Sequence, residues 1–135
     1  MTGVRYLLDT NICIYIAKHN PPAVRERFAR LPASALAMSV ITYGELQYGA
    51  QKSQARTKAL QTIQGLATVI TLVDLDPPAG EHYGQIRSEL EKQGRVIGNN
   101  DLWIAAHARS RGWILVTNNE REFSRVRGLK VENWM

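Results

Sequence analysis

Cysteine is nearly absent. The 135-residue chain has one, Cys13, so neither an internal disulfide nor a cysteine-rich zinc module can form. Its place in the apolar run Ile12-Cys13-Ile14-Tyr15-Ile16 reads as a buried small hydrophobe in a reducing compartment. Histidine is scarce too. His19, His82 and His107 show no metal-ligand spacing, and each reads as a surface or packed side chain, although His107 shares a predicted helix with Asp101. No apolar run is long enough to span a bilayer. The apolar stretch near the start is broken by Arg5 and Asp9, with no small-residue cleavage site after it, which argues against a secretory signal. No phosphate-cradling glycine loop and no Gly-x-Ser-x-Gly elbow is present. A phosphatase with a strand-end aspartate nucleophile would want a second aspartate two residues after Asp9, and Asn11 stands there. The expectation is a soluble, cytoplasmic protein with no membrane segment and one domain over residues 1–135.

Acid is also in the minority. The chain carries 12 Asp plus Glu against 17 Lys plus Arg, a net charge of +5. Arginine supplies most of the positive charge, in clusters at Arg25, Arg27 and Arg30 and from Arg109 and Arg111 through Arg121, Arg125 and Arg127. Its planar fork suits phosphate better than the point charge of lysine. Two solvated helix faces and an electrostatic footprint for nucleic acid both fit this pattern.

Hydrophobic periodicity supplies the architecture. Residues 4–8 read as a strand ending at Asp9, with helices expected over 12–18 and from Pro22 to about 31. A short buried strand over 36–40 precedes a helix capped by Thr42 and carrying Tyr43, Glu45, Leu46 and Tyr48. A polar helical stretch over 54–65 leads to a β-branched strand over 69–73. Asp76-Pro77-Pro78 starts a helix to about Gln93, and Asn99-Asn100-Asp101 opens another that runs to Arg111 and stops at Gly112. A strand over 113–116, a short helix over 120–123 and a last strand over 129–131 complete the chain. Strands alternating with helices give an α/β fold, a central parallel sheet with helices on both faces.

The acids that remain are informative by position. Asp9 follows Tyr6-Leu7-Leu8 and stands at the carboxyl end of a central strand, the edge where open parallel sheets bind ligands. It is equally placed to cap the next helix. Glu45 has Ile41 and Gly49 four residues away, so no ion-pair partner lies along its helix, and an exposed unpaired glutamate is the plain alternative. Asp101 shares a helix face with Ile104, Ala105 and Ala108. A carboxylate turned toward a core costs several kcal/mol, about 2–7, unless a cation or donors compensate it. Position in the first helical turn supplies part of that compensation. Brought together, three carboxylates raise one another's pKa and favour a cation between them. Oxygen-only ligands with retained waters describe magnesium or manganese rather than zinc.

Four stretches, in order, carry a resemblance. They are Leu7-Leu8-Asp9-Thr10-Asn11, Ser39-Val40-Ile41-Thr42-Tyr43-Gly44-Glu45-Leu46, residues 97–108 from Ile97-Gly98-Asn99-Asn100-Asp101 onward, and residues 115–123 around Thr117-Asn118-Asn119, followed by Val131-Glu132-Asn133-Trp134. On these the chain resembles PIN-domain toxins of the VapC group from bacterial toxin–antitoxin modules. The resemblance implies a PIN-like fold and a magnesium-dependent endoribonuclease, with manganese as a substitute. The group's three acids map onto Asp9, Glu45 and Asp101, with Asp9 and Asp101 as direct metal ligands and Glu45 acting through water or as base. Many members carry a fourth acid where this chain has Asn119, an uncharged oxygen donor. Glu120 or Glu122 could stand in for it or lie on the surface. Thr117 could orient a water or simply end its strand.

The same resemblance implies activation of water for in-line attack on a phosphodiester, and arginines that hold the RNA backbone. The Ile-Gly-Asn-Asn-Asp and Thr-Asn-Asn patterns are similar to those of tRNA-cleaving members, some directed at the initiator tRNA anticodon loop. Implied partners are a VapB-type antitoxin, which binds operator DNA through its other end, and a second copy in a homodimer. Tyr43, Leu46 and Tyr48 would form part of an apolar groove for the antitoxin tail, or pack in the core. Rival readings are a non-catalytic nucleic-acid-binding module, which would keep binding after Asp101→Asn, a PIN nuclease acting on other RNA or structured DNA, and a small phosphatase.

Overall fold

Side-chain alternation decides the sheet. In β1 (Tyr6–Leu8), Tyr6 and Leu8 turn to one face and Leu7 to the other. In β2 (Leu36–Ser39), Leu36 and Met38 oppose Ala37, and in β4 (Ile114–Val116), Ile114 and Val116 oppose Leu115. The computed structural model describes residues 3–135. Among them, five strands pair in parallel in the order β3-β2-β1-β4-β5, with β3 (Thr71–Val73) and β5 (Lys130–Glu132) at the edges. Each face is covered, so β1 and β2 are buried throughout and apolar up to Ser39 at the end of β2, as parallel strands covered on both sides tend to be.

The chain leaves β1 toward β2 and β3, then returns to the other side of β1 for β4 and β5. Right-handed crossovers therefore place the helices of the two halves on opposite faces. On the face of Tyr6 and Leu8 lie α1 (Thr10–Lys18), α2 (Pro22–Ala29), α3 (Val40–Gln51) and α4 (Arg56–Val69). On the face of Leu7 lie α5 (Pro77–Lys92), α6 (Asn99–Arg111) and the short α7 (Glu120–Phe123). Leu7, Leu8, Ile12, Leu102 and Leu115 are fully buried, each contributing about 1.5–3 kcal/mol by removal from water. The reversal of strand order makes a switch point between the carboxyl ends of β1 and β4, where open α/β sheets carry their sites. No helix of the described residues is long and apolar enough to cross a membrane.

Two expectations are corrected. Ser39, not Thr42, caps α3: its Oγ accepts from the Ile41 N–H at 3.1 Å, and the helix starts at Val40. A cap at Thr42 would strand the N–H groups of the preceding turn; Thr42 lies inside the helix, its hydroxyl buried and without a partner. The strand expected over 69–73 begins at Thr71. Ile63, Leu66 and Ile70 form a buried stripe at spacings of three and four, which extends α4 through Val69. Gly112 ends α6 as expected, in the left-handed region at φ 69°.

Candidate active site

Asp9 ends β1 beside the switch point. Its backbone N–H reaches the Val116 carbonyl at 3.0 Å, and its Oδ1 caps α1 by accepting from the Ile12 N–H at 2.9 Å. Both sequence alternatives therefore hold: it is a cap and a strand-end acid. Its exposure is 6%. Burial raises its pKa, and the charge of Glu45 adds to that; the Thr117 hydroxyl and the Ile12 and Asn11 amides pull the other way. Thr117, fully buried, also accepts from the Asn119 N–H at 2.9 Å, which shapes the turn after β4.

Glu45, on the second turn of α3, is half-buried and held from two sides. The Thr10 hydroxyl donates to its Oε1 at 2.5 Å, and the Asn100 amide approaches its Oε2 at 3.4 Å. Thr10 follows Asp9 and Asn100 precedes Asp101, so Glu45 is bonded to the neighbours of both other acids. Sequence spacing along α3 could not reveal donors that arrive from α1 and α6.

Asp101 occupies the first turn of α6, whose N-cap is Gly98. Among the described residues neither of its oxygens accepts a hydrogen bond, so capping does not explain it. Burial pushes its pKa up to about 6, and the charges of Glu122, Glu45 and Asp9 all add to the rise. The order of those charges brings in a residue that sequence left open. Glu122, on α7, outweighs both Glu45 and Asp9 in its effect on Asp101. Its Oε2 accepts the Asn119 amide at 3.1 Å. The charge missing at Asn119 is thus present one helical turn later, with Asn119 steering it. Glu120 instead accepts from Asn133 at the surface.

The charges of Glu122, Glu45 and Asp9 all bear on Asp101, and no ion pair among the described residues involves any of these four acids. The ion pairs among the described residues, Arg27–Glu132, Arg87–Glu91 and Arg111–Asp76, lie elsewhere. No three acidic, histidine or cysteine side chains of the described residues close on one point tightly enough to cage an ion. The donor set still fits a hard divalent cation: it is all oxygen and net negative, and burial first, then the neighbouring acids, raise the pKa of Asp9 and Asp101.

Two depressions meet at Glu45. One, about 540 Å³, runs between α1, α3 and α4 over Ile14, Ala17, Leu46, Ala50, Ile63 and Leu66, with Lys18 and Lys58 on its rim. The other, about 640 Å³, lies over Gly44 and Gly49 beside Tyr48 and Asn100. The stripe anticipated as a groove thus divides. Leu46 lines the first, Tyr43 packs on the core, and Tyr48, 66% exposed with the Lys52 ammonium 4.8 Å from its ring centre, borders the second.

Residues 6–129 match the family model described as PIN domain. The chain is 50% identical to a tRNA(fMet)-specific endonuclease VapC of Shigella flexneri, over 97% of its own length and 98% of the relative's. It is 46% identical to ribonuclease VapC2 of Haemophilus influenzae, over 98% and 99%. Among solved structures, the DNA-bound VapBC of Salmonella typhimurium superposes with a TM-score of 0.92 at 44% identity, covering 98% of this chain and 99% of that one. The promoter-DNA-bound VapBC2 of Rickettsia felis does so with a TM-score of 0.91 at 37% identity, covering 98% and 100%.

Proposed function

The chain belongs to the VapC group of PIN-domain ribonucleases, and from that premise we propose that it is the toxin of a toxin–antitoxin module, a magnesium-dependent endoribonuclease that cleaves tRNA. The single observation that carries the site is the convergence of Asp9, Glu45, Asp101 and Glu122 with no compensating cation. Asp9 and Asp101 would hold magnesium, or manganese in its place, with Glu122 completing the charge and Asn119 orienting Glu122. A divalent cation held there neutralises charge on the phosphoryl oxygens and acidifies water. Thr117 fixes the Asp9 carboxylate. Glu45, clamped by Thr10 and Asn100, takes the proton from the attacking water as the water oxygen bonds to phosphorus and the ester bond opposite breaks, the leaving oxygen taking a proton from solvent. Exposed Arg121, between Glu120 and Glu122, and the arginines of α2 suit the RNA backbone.

The target follows the relatives: two that match over nearly their full length are named as specific for tRNA(fMet). The initiator anticodon loop offers the splayed bases that single-strand recognition needs. Similarity to VapBC complexes supports a VapB-type antitoxin as partner. The apolar groove that ends at Glu45 and Thr10 suits its tail; operator DNA would be reached only through the antitoxin. Exposed Val40, Tyr48 and Leu72, near the β3 edge, suit a homodimer face. The test is cleavage of initiator against elongator tRNA transcripts by the purified chain with magnesium. Cuts confined to the initiator loop support the reading, and equal cutting of all transcripts rejects that specificity.

A further inference from the structure

His107 is the one histidine fully removed from solvent, on the face of α6 turned to the sheet. Its Nδ1 lies 2.9 Å from the Oγ of Ser39, which is equally buried. The Ser39 oxygen already accepts from the Ile41 N–H, so its own proton is free to be donated to Nδ1. That leaves the imidazole neutral with hydrogen on Nε2, which is buried and unbonded beside the Asp74 carbonyl. Burial and the nearby Arg111 guanidinium hold the His107 pKa down; Asp76, paired with Arg111 at 2.9 Å, opposes this weakly. The Trp113 ring closes the pocket, 5.7 Å from the imidazole.

The bond joins the start of the helix that carries Glu45 to the helix that carries Asp101. Ser39 launches α3, and Glu45 lies six residues farther on; His107 lies six residues after Asp101 on α6. Six residues of helix span about 9 Å. The serine–histidine bond at one end and the Asn100–Glu45 contact at the other are thus separated by nearly equal lengths of each helix. We propose that Ser39 and His107 form a strut that sets the register of α3 against α6, and are positioning residues that hold the Glu45 base at a fixed spacing from the metal ligand Asp101. The inference rests on the metal-site reading above. A buried side-chain pair joined by a hydrogen bond specifies one arrangement where apolar contacts alone permit sliding.

The test uses the full chain and Mn2+ alone, bound and counted by electron paramagnetic resonance, with thermal melting in parallel. His107→Leu should weaken Mn2+ binding by about tenfold, the scale of outer-sphere substitutions, while KM for tRNA stays within about twofold and kcat falls. His107→Asn, which can place an acceptor near the Nδ1 position, should restore most of the affinity. Ser39→Ala should reproduce the loss, and the double variant should add little to either single change. If His107→Leu fails to fold, His107→Phe takes its place, since Ser39→Ala also removes the cap of α3. Mn2+ affinity unchanged in Ser39→Ala, or equal in His107→Leu and His107→Asn, overturns the strut. Wild-type chain that binds no Mn2+ overturns the metal reading and the strut with it, which separates the two failures.

Discussion

The Thr10 hydroxyl donates to Glu45 Oε1 at 2.5 Å, across 35 residues of sequence. With the Asn100 amide on the other oxygen, it holds the Glu45 carboxylate from two sides. Thr10→Val should lower kcat by about tenfold, with melting shifted by no more than the equivalent of about 1 kcal/mol. Thr10→Ser should recover the rate. Steady-state cleavage of tRNA with melting curves for both variants checks this.

Asp101 makes a prediction whose sign is fixed by its raised pKa. A carboxyl pushed from 3.8 to about 6 by folding contributes stability below its unfolded pKa and loses it as pH rises through 6. Metal-free Asp101→Asn should therefore melt higher than wild type at pH 7.5. The gain should be about 1–2 kcal/mol after allowance for partial exposure, a few degrees for a chain this size. The difference should shrink to a small remainder near pH 4, where Asp101 is protonated in folded wild type and about half protonated in the unfolded chain. Excess magnesium should close it at pH 7.5 by stabilising wild type alone. Melting curves at the two pH values, with and without magnesium, give the answer.

Glu122 and Asn119 are separable. Glu122→Gln removes a charge that presses on Asp101, and should lower the Asp101 pKa, weaken Mg2+ binding and cut the cleavage rate by about tenfold or more. Asn119→Ala removes only the amide that steers Glu122 and should cost less. A larger loss from Asn119→Ala than from Glu122→Gln, measured in one magnesium titration, would transfer the fourth position back to Asn119.

The sheet was legible because its strands are short, apolar and bounded by strong punctuation, and Gly112, Asp76-Pro77-Pro78 and Asn20-Pro21-Pro22 mark where helices stop or start. The boundary at Val69 was not, since a β-branched run says strand while the stripe Ile63, Leu66, Ile70 says helix, and only packing decides. Asp9 and Asp101 stood out by strand end and apolar face. Glu45 did not, because its partners Thr10 and Asn100 come from other helices. Glu122 stayed open between a stand-in for the fourth acid and a surface residue, because its sequence context gives no sign that its charge would bear on Asp101.

The homodimer face carries its own test. Val40→Asp, on an exposed apolar position near the β3 edge, should halve the mass seen by light scattering while far-UV circular dichroism stays unchanged. A wild-type chain that is already monomeric at micromolar concentration would remove this proposal.

The central claim is that four converging carboxylates make this chain a metal-dependent ribonuclease. The most direct measurement is cleavage of total tRNA by purified protein with magnesium, with chelator, and with Asp9→Asn or Asp101→Asn in place of wild type. Discrete fragments that require magnesium and fall by at least about a hundredfold in both variants are the predicted result. Intact tRNA under every condition, manganese included and the fold confirmed, or cutting that survives chelator and both variants, would contradict it.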